Sequence, residues 1–291
     1  PMPGHVPYLM SIPSTLPFPV LCALLGQVLA LMYPERVKAI LRGELSGAPT
    51  RLEKLLVAGI FRSHQLSNNL ASLTPIYDAF WQADSATDYH QRVAARFDSV
   101  FLPHHANRLL AAVGELRRSL PAASCTFCEI GCGSGRMLEF FSARLPEVDR
   151  FVGIDLSPAQ IARNQSHYAG SSLQFVAADG LQWLLERQEP GVILFVYGGV
   201  LEYFPPAKLQ RLLDHLARAL HPCGLVLVEP LAEDHDLGSG PTSRLFGHEN
   251  TWSHDYPALC RAAGLVNVAV QDHRIGPQRW LHVVAKSCGS S

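Results

Sequence analysis

The chain lacks a charge of either sign to spare. Over 291 residues, 24 Lys and Arg stand against 25 Asp and Glu, with no long run of like charge. That removes the electrostatic footprint a phosphate backbone or an anionic lipid surface requires, so neither a nucleic-acid nor a membrane partner is expected. A spanning segment is missing too: the apolar run 20–33 has 14 residues, against about 20 for a bilayer. No Lys or Arg precedes that run, unlike a secretory leader. A disulfide framework is also absent. The seven cysteines are odd in number and scattered, which fits a reducing, cytoplasmic setting. Cys125 and Cys128 form a lone C-x-x-C with no second pair and no spaced histidines. On a strand their side chains point to opposite faces, so core packing is expected and no metal site. The sequence contains no G-x-S-x-G, no H-E-x-x-H and no G-x-x-x-x-G-K-[ST], leaving a serine nucleophile, a zinc protease helix and nucleotide triphosphate hydrolysis without their usual carriers.

What is present is a globular composition, 48% hydrophobic and 17% charged, in two stretches of different pattern. Residues 1–19 carry six prolines and read as an irregular arm. Helical periodicity follows over 20–33, 34–42, 50–73, 75–82, 87–101 and 103–120, with Pro34, Pro75 and Pro103 where a first helical turn tolerates proline. From Cys125 onward short apolar runs alternate with helical ones. Strands are expected at 126–130, 151–154, 173–176, 192–196 and 225–229, and helices at 136–145, 158–168, 181–187 and 207–220. A polar loop over 231–250, a helix over 254–263 and an antiparallel pair, 266–271 with 279–285, complete the chain. Continuous apolar strands separated by helices mean a parallel sheet covered on both faces.

In such sheets ligands bind beyond the carboxyl ends of the strands, and there the informative residues lie. The first strand leads into Glu129-Ile130-Gly131-Cys132-Gly133-Ser134-Gly135. Glycines at alternate positions let the backbone turn tightly and approach a ligand, and the following helix offers unpaired N–H groups. The spacing is G-x-G-x-G, not the G-x-G-x-x-G of a dinucleotide site, and Glu129 before the loop suits a cationic amine better than a pyrophosphate. The second strand ends at Asp155, followed by Leu156, Ser157 and Pro158. Asp155 is an acceptor for ribose hydroxyls or simply an exposed strand-end acid. The third ends at Asp179-Gly180, where the acid is a ligand or a helix N-cap, roles its two oxygens can share. The fourth runs into Tyr197-Gly198-Gly199-Val200-Leu201-Glu202-Tyr203-Phe204-Pro205.

Together, in this order, these four strand ends resemble those of the class I S-adenosylmethionine-dependent methyltransferases, in their small-molecule form. The resemblance implies a doubly wound α/β fold with a seven-stranded, mainly parallel sheet. The S-adenosylmethionine-binding domain would occupy residues 121–291, and an all-helical region, 1–120, would serve as lid, substrate pocket or dimer contact. It implies S-adenosylmethionine held by Glu129, Gly131, Gly133, Gly135, Asp155, Leu156, Asp179, Gly180 and Tyr197. Tyr77, Trp81, Tyr89 and Arg92, on helices just before the sheet, are candidates to close over it, Arg92 toward the methionine carboxylate or as a plain solvated Arg. Tyr197 and Tyr203 could favour the sulfonium through a ring face or merely pack.

The expected activity is in-line methyl transfer to a small-molecule metabolite, in which alignment contributes most. Acceptor-side residues are sought at His235, Arg244, His248, Trp252, His254 and Tyr256, with His254 and Tyr256 foremost because they would open the helix after the fifth strand; a His there could act as base or simply pack. Two other functions stay open: transfer or cyclisation of the aminocarboxypropyl arm with release of methylthioadenosine, and binding of the cofactor without catalysis. The apolar stretches within 20–73 also allow a homodimer contact.

Overall fold

The computed structural model describes residues 19–42, 44, 50–67, 69–82, 95–246 and 251–288. They fall into two compact units, one comprising residues 1–89 with 245–251, the other residues 90–244 with 252–291.

The first unit is helical: α1 (Pro19–Met32), α2 (Pro34–Leu41), α3 (Arg51–Leu66) and α4 (Thr74–Gln82), with a 3-10 turn over Leu70–Leu73. The long helix expected over 50–73 stops at Leu66. Helices α1 and α3 meet backbone to backbone. A Cβ on Gly26 would collide with the carbonyl of Leu55, and one on Gly59 with the backbone of Gly26. Glycine is therefore required by the close approach. We expect Gly59→Val to separate the two helices and to destabilise this unit by about 3 kcal/mol, the upper end for overpacking, read as a shift in its urea midpoint; an unchanged midpoint would rule the contact out. The outer face of α1, with Val20, Leu21, Leu24, Val28 and Leu31, is exposed. Among the described residues no single helix is long and apolar enough to cross a membrane.

The second unit is built on a seven-stranded sheet. Its strands are β1 (Thr126–Ile130), β2 (Arg150–Asp155), β3 (Leu173–Ala177), β4 (Val192–Tyr197), β5 (Cys223–Pro230), β8 (Leu265–Ile275) and β9 (Gln278–Ser287), in the order β3-β2-β1-β4-β5-β9-β8. Neighbours from β3 to β5 are parallel, whereas β9 runs against both β5 and β8. One strand is reversed, as the resemblance implies. The order changes direction between β1 and β4, the switch point at which such sheets bind ligands.

Alternation along the strands gives the two faces different chemistry. Phe127, Phe151 and Phe195 point to one face, with Phe127 and Phe195 stacked at 5.2 Å and Phe141 at 5.0 Å from both. Helices α5 (Ala106–Ser119), α6 (Arg136–Ser142) and α7 (Pro158–His167) cover it. Cys128, Ile130, Val152, Ile154, Leu194 and Val196 fill the other face under α8 (Gly180–Leu185), α9 (Pro206–Ala219) and α10 (Tyr256–Ala263). Cys125 joins the aromatic side and Cys128 the aliphatic side, and both are buried free thiols.

Three local differences from the sequence reading matter for the site. The expected helix over 103–120 is broken at His105, where φ is −124° and α5 begins anew. A π-helical turn, Phe97–Phe101, precedes the break; Asp98 in that turn is held by both guanidinium nitrogens of Arg136, at 2.8 and 3.0 Å. The loop 231–250 gives rise to β6 (Ser243–Phe246), which pairs with β7 (Thr251–His254). Helix α10 therefore starts at Tyr256 rather than at His254, capped by Asp255, whose side chain accepts from Ala258 N.

Candidate functional site

The turn after β1 takes the left-handed conformations that favour glycine, with φ of 74° at Gly131, 48° at Gly133 and 77° at Gly135. Space forbids a side chain as well. A Cβ on Gly131 would lie 2.5 Å from a Val200 methyl, and one on Gly135 2.8 Å from the Phe175 ring. Glu129, at the mouth of this turn, is 3% exposed. Burial, and then the neighbouring charge of Asp155, raise its carboxyl well above the usual range. Its Oε2 is buried with no hydrogen-bond partner among the described residues. An unpaired buried carboxylate oxygen is costly, and a cationic amine is the kind of group that would relieve it.

Asp155, also buried, ends β2 and reaches back to the turn. One oxygen accepts from Gly133 N at 2.9 Å and the other from Ser157 N at 3.0 Å. It thus fixes the shape of the glycine loop. Ser157 caps α7, accepting from Gln160 N at 3.2 Å. Leu156 is half-buried beside it.

Asp179 takes the N-cap role, accepting from Gln182 N at 3.0 Å, while its other oxygen pairs with Lys208 Nζ at 2.7 Å. Both oxygens are engaged at the place where the resemblance puts an adenine acceptor. Lys208 also sits over the Phe204 ring, 4.3 Å from its centre. Gly180 is tight against β1, since a Cβ there would meet Ile130 at 2.6 Å.

The loop after β4 is anchored by a residue that sequence reasoning did not single out. Glu229, at the end of β5 and 0% exposed, accepts four backbone N–H groups. Gly199 N at 3.3 Å and Val200 N at 3.1 Å reach Oε1; Leu201 N at 3.0 Å and Glu202 N at 3.3 Å reach Oε2. Tyr256 Oη donates to Oε2 at 3.4 Å. Burial pushes the Glu229 carboxyl up to about 7 in spite of these donors.

Tyr197, half-buried at the end of β4, belongs to an aromatic and histidine cluster. Its ring lies 5.4 Å edge-on from both Phe101 and His105 and 6.3 Å, stacked, from Trp280. Behind it His105 Nδ1 and His282 Nε2 are 2.9 Å apart, and His273 is 4.4 Å from His282 between ring centres. Burial first, and the other rings second, push His105 down to about 4 and His282 down to about 3. Tyr203 is half-buried in the 3-10 turn Leu201–Tyr203.

Two expected acceptor-side residues are corrected. His254 and Tyr256 are both 0% exposed. The His254 ring accepts from Ser243 Oγ at Nδ1, 2.7 Å, and donates from Nε2 to the Phe204 carbonyl at 3.1 Å. Burial pushes it down to about 4. It is a neutral strut, and Tyr256 is committed to Glu229. His235, 1% exposed, is likewise held by Ser253 and the Pro241 carbonyl, and Arg244 pairs with Asp234 at 2.8 Å. Of the expected covering residues, Tyr77 and Trp81 lie in the helical unit. Tyr77 is buried edge-on to Phe61 at 5.9 Å, and Trp81 is edge-on to Phe80 at 5.2 Å. Tyr89, Arg92 and His248 fall outside the described residues.

A glycine turn, a buried acid with a bare oxygen, and further acids at the next two strand ends thus lie along the carboxyl edge of a doubly wound sheet. A methyltransferase-domain family model matches residues 127–224. The carboxy-S-adenosyl-L-methionine synthase of Yersinia pestis (strain Pestoides F) is 27% identical over 160 residues, 52% of this chain and 58% of that protein; the chain thus spans 58% of the length of this curated relative. Among solved structures, 1,6-didemethyltoxoflavin-N1-methyltransferase from Burkholderia thailandensis is 18% identical over 70% of this chain and 89% of its own, with a TM-score of 0.47. N-methyltransferase NodS from Bradyrhizobium japonicum WM9 is 18% identical over 65% and 99%, with the same TM-score, 0.47. Residues 127–224 thus match a methyltransferase domain, within a seven-stranded sheet of the kind the sequence resemblance implies, and S-adenosylmethionine is the cofactor such a domain takes.

Proposed function

We propose that the protein transfers the methyl group of S-adenosylmethionine to a small-molecule acceptor. The observation that carries the reading is the bare, buried Oε2 of Glu129 beside the glycine turn, which suits the amine of the methionine moiety. S-adenosylmethionine supplies a methyl activated by a cationic sulfur. The chain's residues would bind and align: Glu129 takes the amine, Asp155 accepts ribose hydroxyls while holding Gly133 N, Leu156 and Gly180 flank the base, and Asp179, with Lys208, closes the adenine end. Tyr197 offers an aromatic edge on the sulfonium side. A small-molecule acceptor is consistent with the near-zero net charge. Seven free cysteines favour a reducing cytoplasm, and the exposed outer face of α1 favours a homodimer.

The test is to incubate the purified protein with S-adenosylmethionine and a panel of hydroxyl, amine and thiol metabolites and to identify the nucleoside formed. S-adenosylhomocysteine is the expected product, whereas methylthioadenosine would move the reaction to the aminocarboxypropyl arm. A second reading follows from the printed name of the matched relative: the cofactor itself is the acceptor, its methyl carbon giving up a proton and bonding to a carboxyl group that breaks away from a carboxylic-acid co-substrate, which is added to the panel as donor. The same analysis would then yield a carboxylated S-adenosylmethionine.

A further inference from the structure

Six ring nitrogens belong to His105, His273 and His282. Two of them share the 2.9 Å contact between His105 Nδ1 and His282 Nε2. The other four, His105 Nε2, both nitrogens of His273 and His282 Nδ1, have no partner among the described residues, although all four are buried atoms. His105 and His282 are themselves 1% and 4% exposed. Buried polar groups in native proteins are nearly always paired, so four bare nitrogens in one cluster point to a ligand-binding place.

The three residues come from three elements that the fold holds in fixed relation. His282 on β9 is opposite Val228 on β5, one strand away from Tyr197, itself paired with Val228. His273 on β8 is opposite Trp280, two residues before His282 on the same face. His105 caps the start of α5 at the break in the helix. One ring nitrogen from each lies within 4.8 Å of the other two. Three nitrogens on a tetrahedral zinc ion sit about 3.4 Å apart, from bonds of about 2.0–2.1 Å. Rotation of His273, half-buried near the turn that joins β8 to β9, would close the difference.

We propose that His105, His273 and His282 form a binding site for one divalent transition-metal ion of the zinc type. The donor set fits this class and no other: three neutral imidazoles suit zinc, copper, iron and nickel, whereas magnesium and calcium take oxygen ligands. Three protein ligands with a further position free is the arrangement of zinc sites that bind an exchangeable group. An approach exists as well. A groove of about 530 Å³ opens on His273 and carries four carboxylates, Glu233, Asp234, Asp236 and Asp272, against Arg274 and Arg279, so its rim favours an incoming cation.

The site stands on its own geometry, but its use rests on the methyl-transfer reading. With Tyr197 5.4 Å from His105, the free position is placed to take the acceptor's hydroxyl or thiol. The acceptor then loses its proton to water and its heteroatom forms the bond to the methyl carbon, while the electron pair of the broken S–C bond stays on sulfur. The ion changes neither charge nor electron count.

The experiment uses the full chain stripped by chelator and titrated with Co²⁺ as an optical probe and Zn²⁺ as competitor. One equivalent per chain is expected, with the visible bands of low-coordinate cobalt. His273→Ala, at a half-buried position, should retain the wild-type far-ultraviolet dichroism and weaken binding by about 100-fold or more, since even outer partners of a metal ligand are worth tenfold to a hundredfold. His282→Ala should do the same and serves as the second variant. Absence of stoichiometric binding by either metal, or binding indifferent to both substitutions, overturns the site. Equal turnover in stripped and zinc-loaded protein overturns the role given to the ion. Full metal binding with no S-adenosylhomocysteine from any acceptor overturns the methyl-transfer reading instead, so the two failures are distinguishable.

Discussion

Replacing Asp155 by Ala is expected to weaken S-adenosylmethionine binding by roughly 100-fold to 10,000-fold. Two effects add. The carboxylate offers charge-assisted hydrogen bonds to the ribose, worth about 1.5–3 kcal/mol each, and it also holds Gly133 N at 2.9 Å and Ser157 N at 3.0 Å. Without it the glycine loop loses the acceptor that sets its shape. Isothermal titration of the wild type and of Asp155→Asn separates the two contributions, because Asn keeps one acceptor oxygen for the loop but loses the charge. Unaltered affinity in Asp155→Ala would show that the ribose does not sit at the end of β2.

The second large effect is a pH dependence carried by Glu229. Burial raises its carboxyl from the ordinary 4.5 to about 7. The folded chain therefore holds the proton more tightly than the unfolded chain does. The stability this contributes is complete below pH 4.5 and is lost as the pH rises through about 7. Two and a half pH units at about 1.4 kcal/mol each give a loss of about 3 kcal/mol. Glu229→Gln does not titrate, so the stability of wild type relative to this variant should fall by that amount between pH 4.5 and 7.5, measured by urea unfolding at each pH. A flat difference would mean that the four N–H donors keep Glu229 ionised throughout. The variant should also bind cofactor less well at every pH. An amide has one acceptor oxygen where the carboxylate has two, so it leaves part of the loop 199–202 without its anchor and sets an NH₂ group against backbone donors.

How much of this was readable in the residues depends on distance along the chain. The glycine turn, Asp155 and Asp179 are local patterns: a strand, an acid and a helix start within a few positions, governed by backbone conformation and capping. The strands themselves were legible for the same reason, since buried parallel strands announce themselves as continuous apolar runs, whereas their order and the one reversed strand came from the family resemblance. Glu229 is different. It was legible as the last residue of a strand, but its four partners lie 27 to 30 residues earlier, and only the pairing of β4 with β5 brings them together. The histidine cluster is further still beyond sequence, with 177 positions between His105 and His282 and a helix broken where periodicity predicts it continuous. His254 shows the opposite error. Its place near an expected helix start suggested an exposed base, and the β6–β7 pairing buries it instead.

The way Glu229 holds the β4 loop bears on how such a protein diversifies. What it grips are main-chain N–H groups, which every residue except proline supplies. Side-chain identity at 202 and 203 does not enter that grip, while buried Leu201, Gly199, at φ 94°, and Val200, packed against Gly131, remain restricted. Mutation can therefore explore the outer surface of this loop without redrawing the turn that presents it. The restraint on drift falls on a single acid in a different strand, so descendants with unlike loops would still be held to the same residue 229.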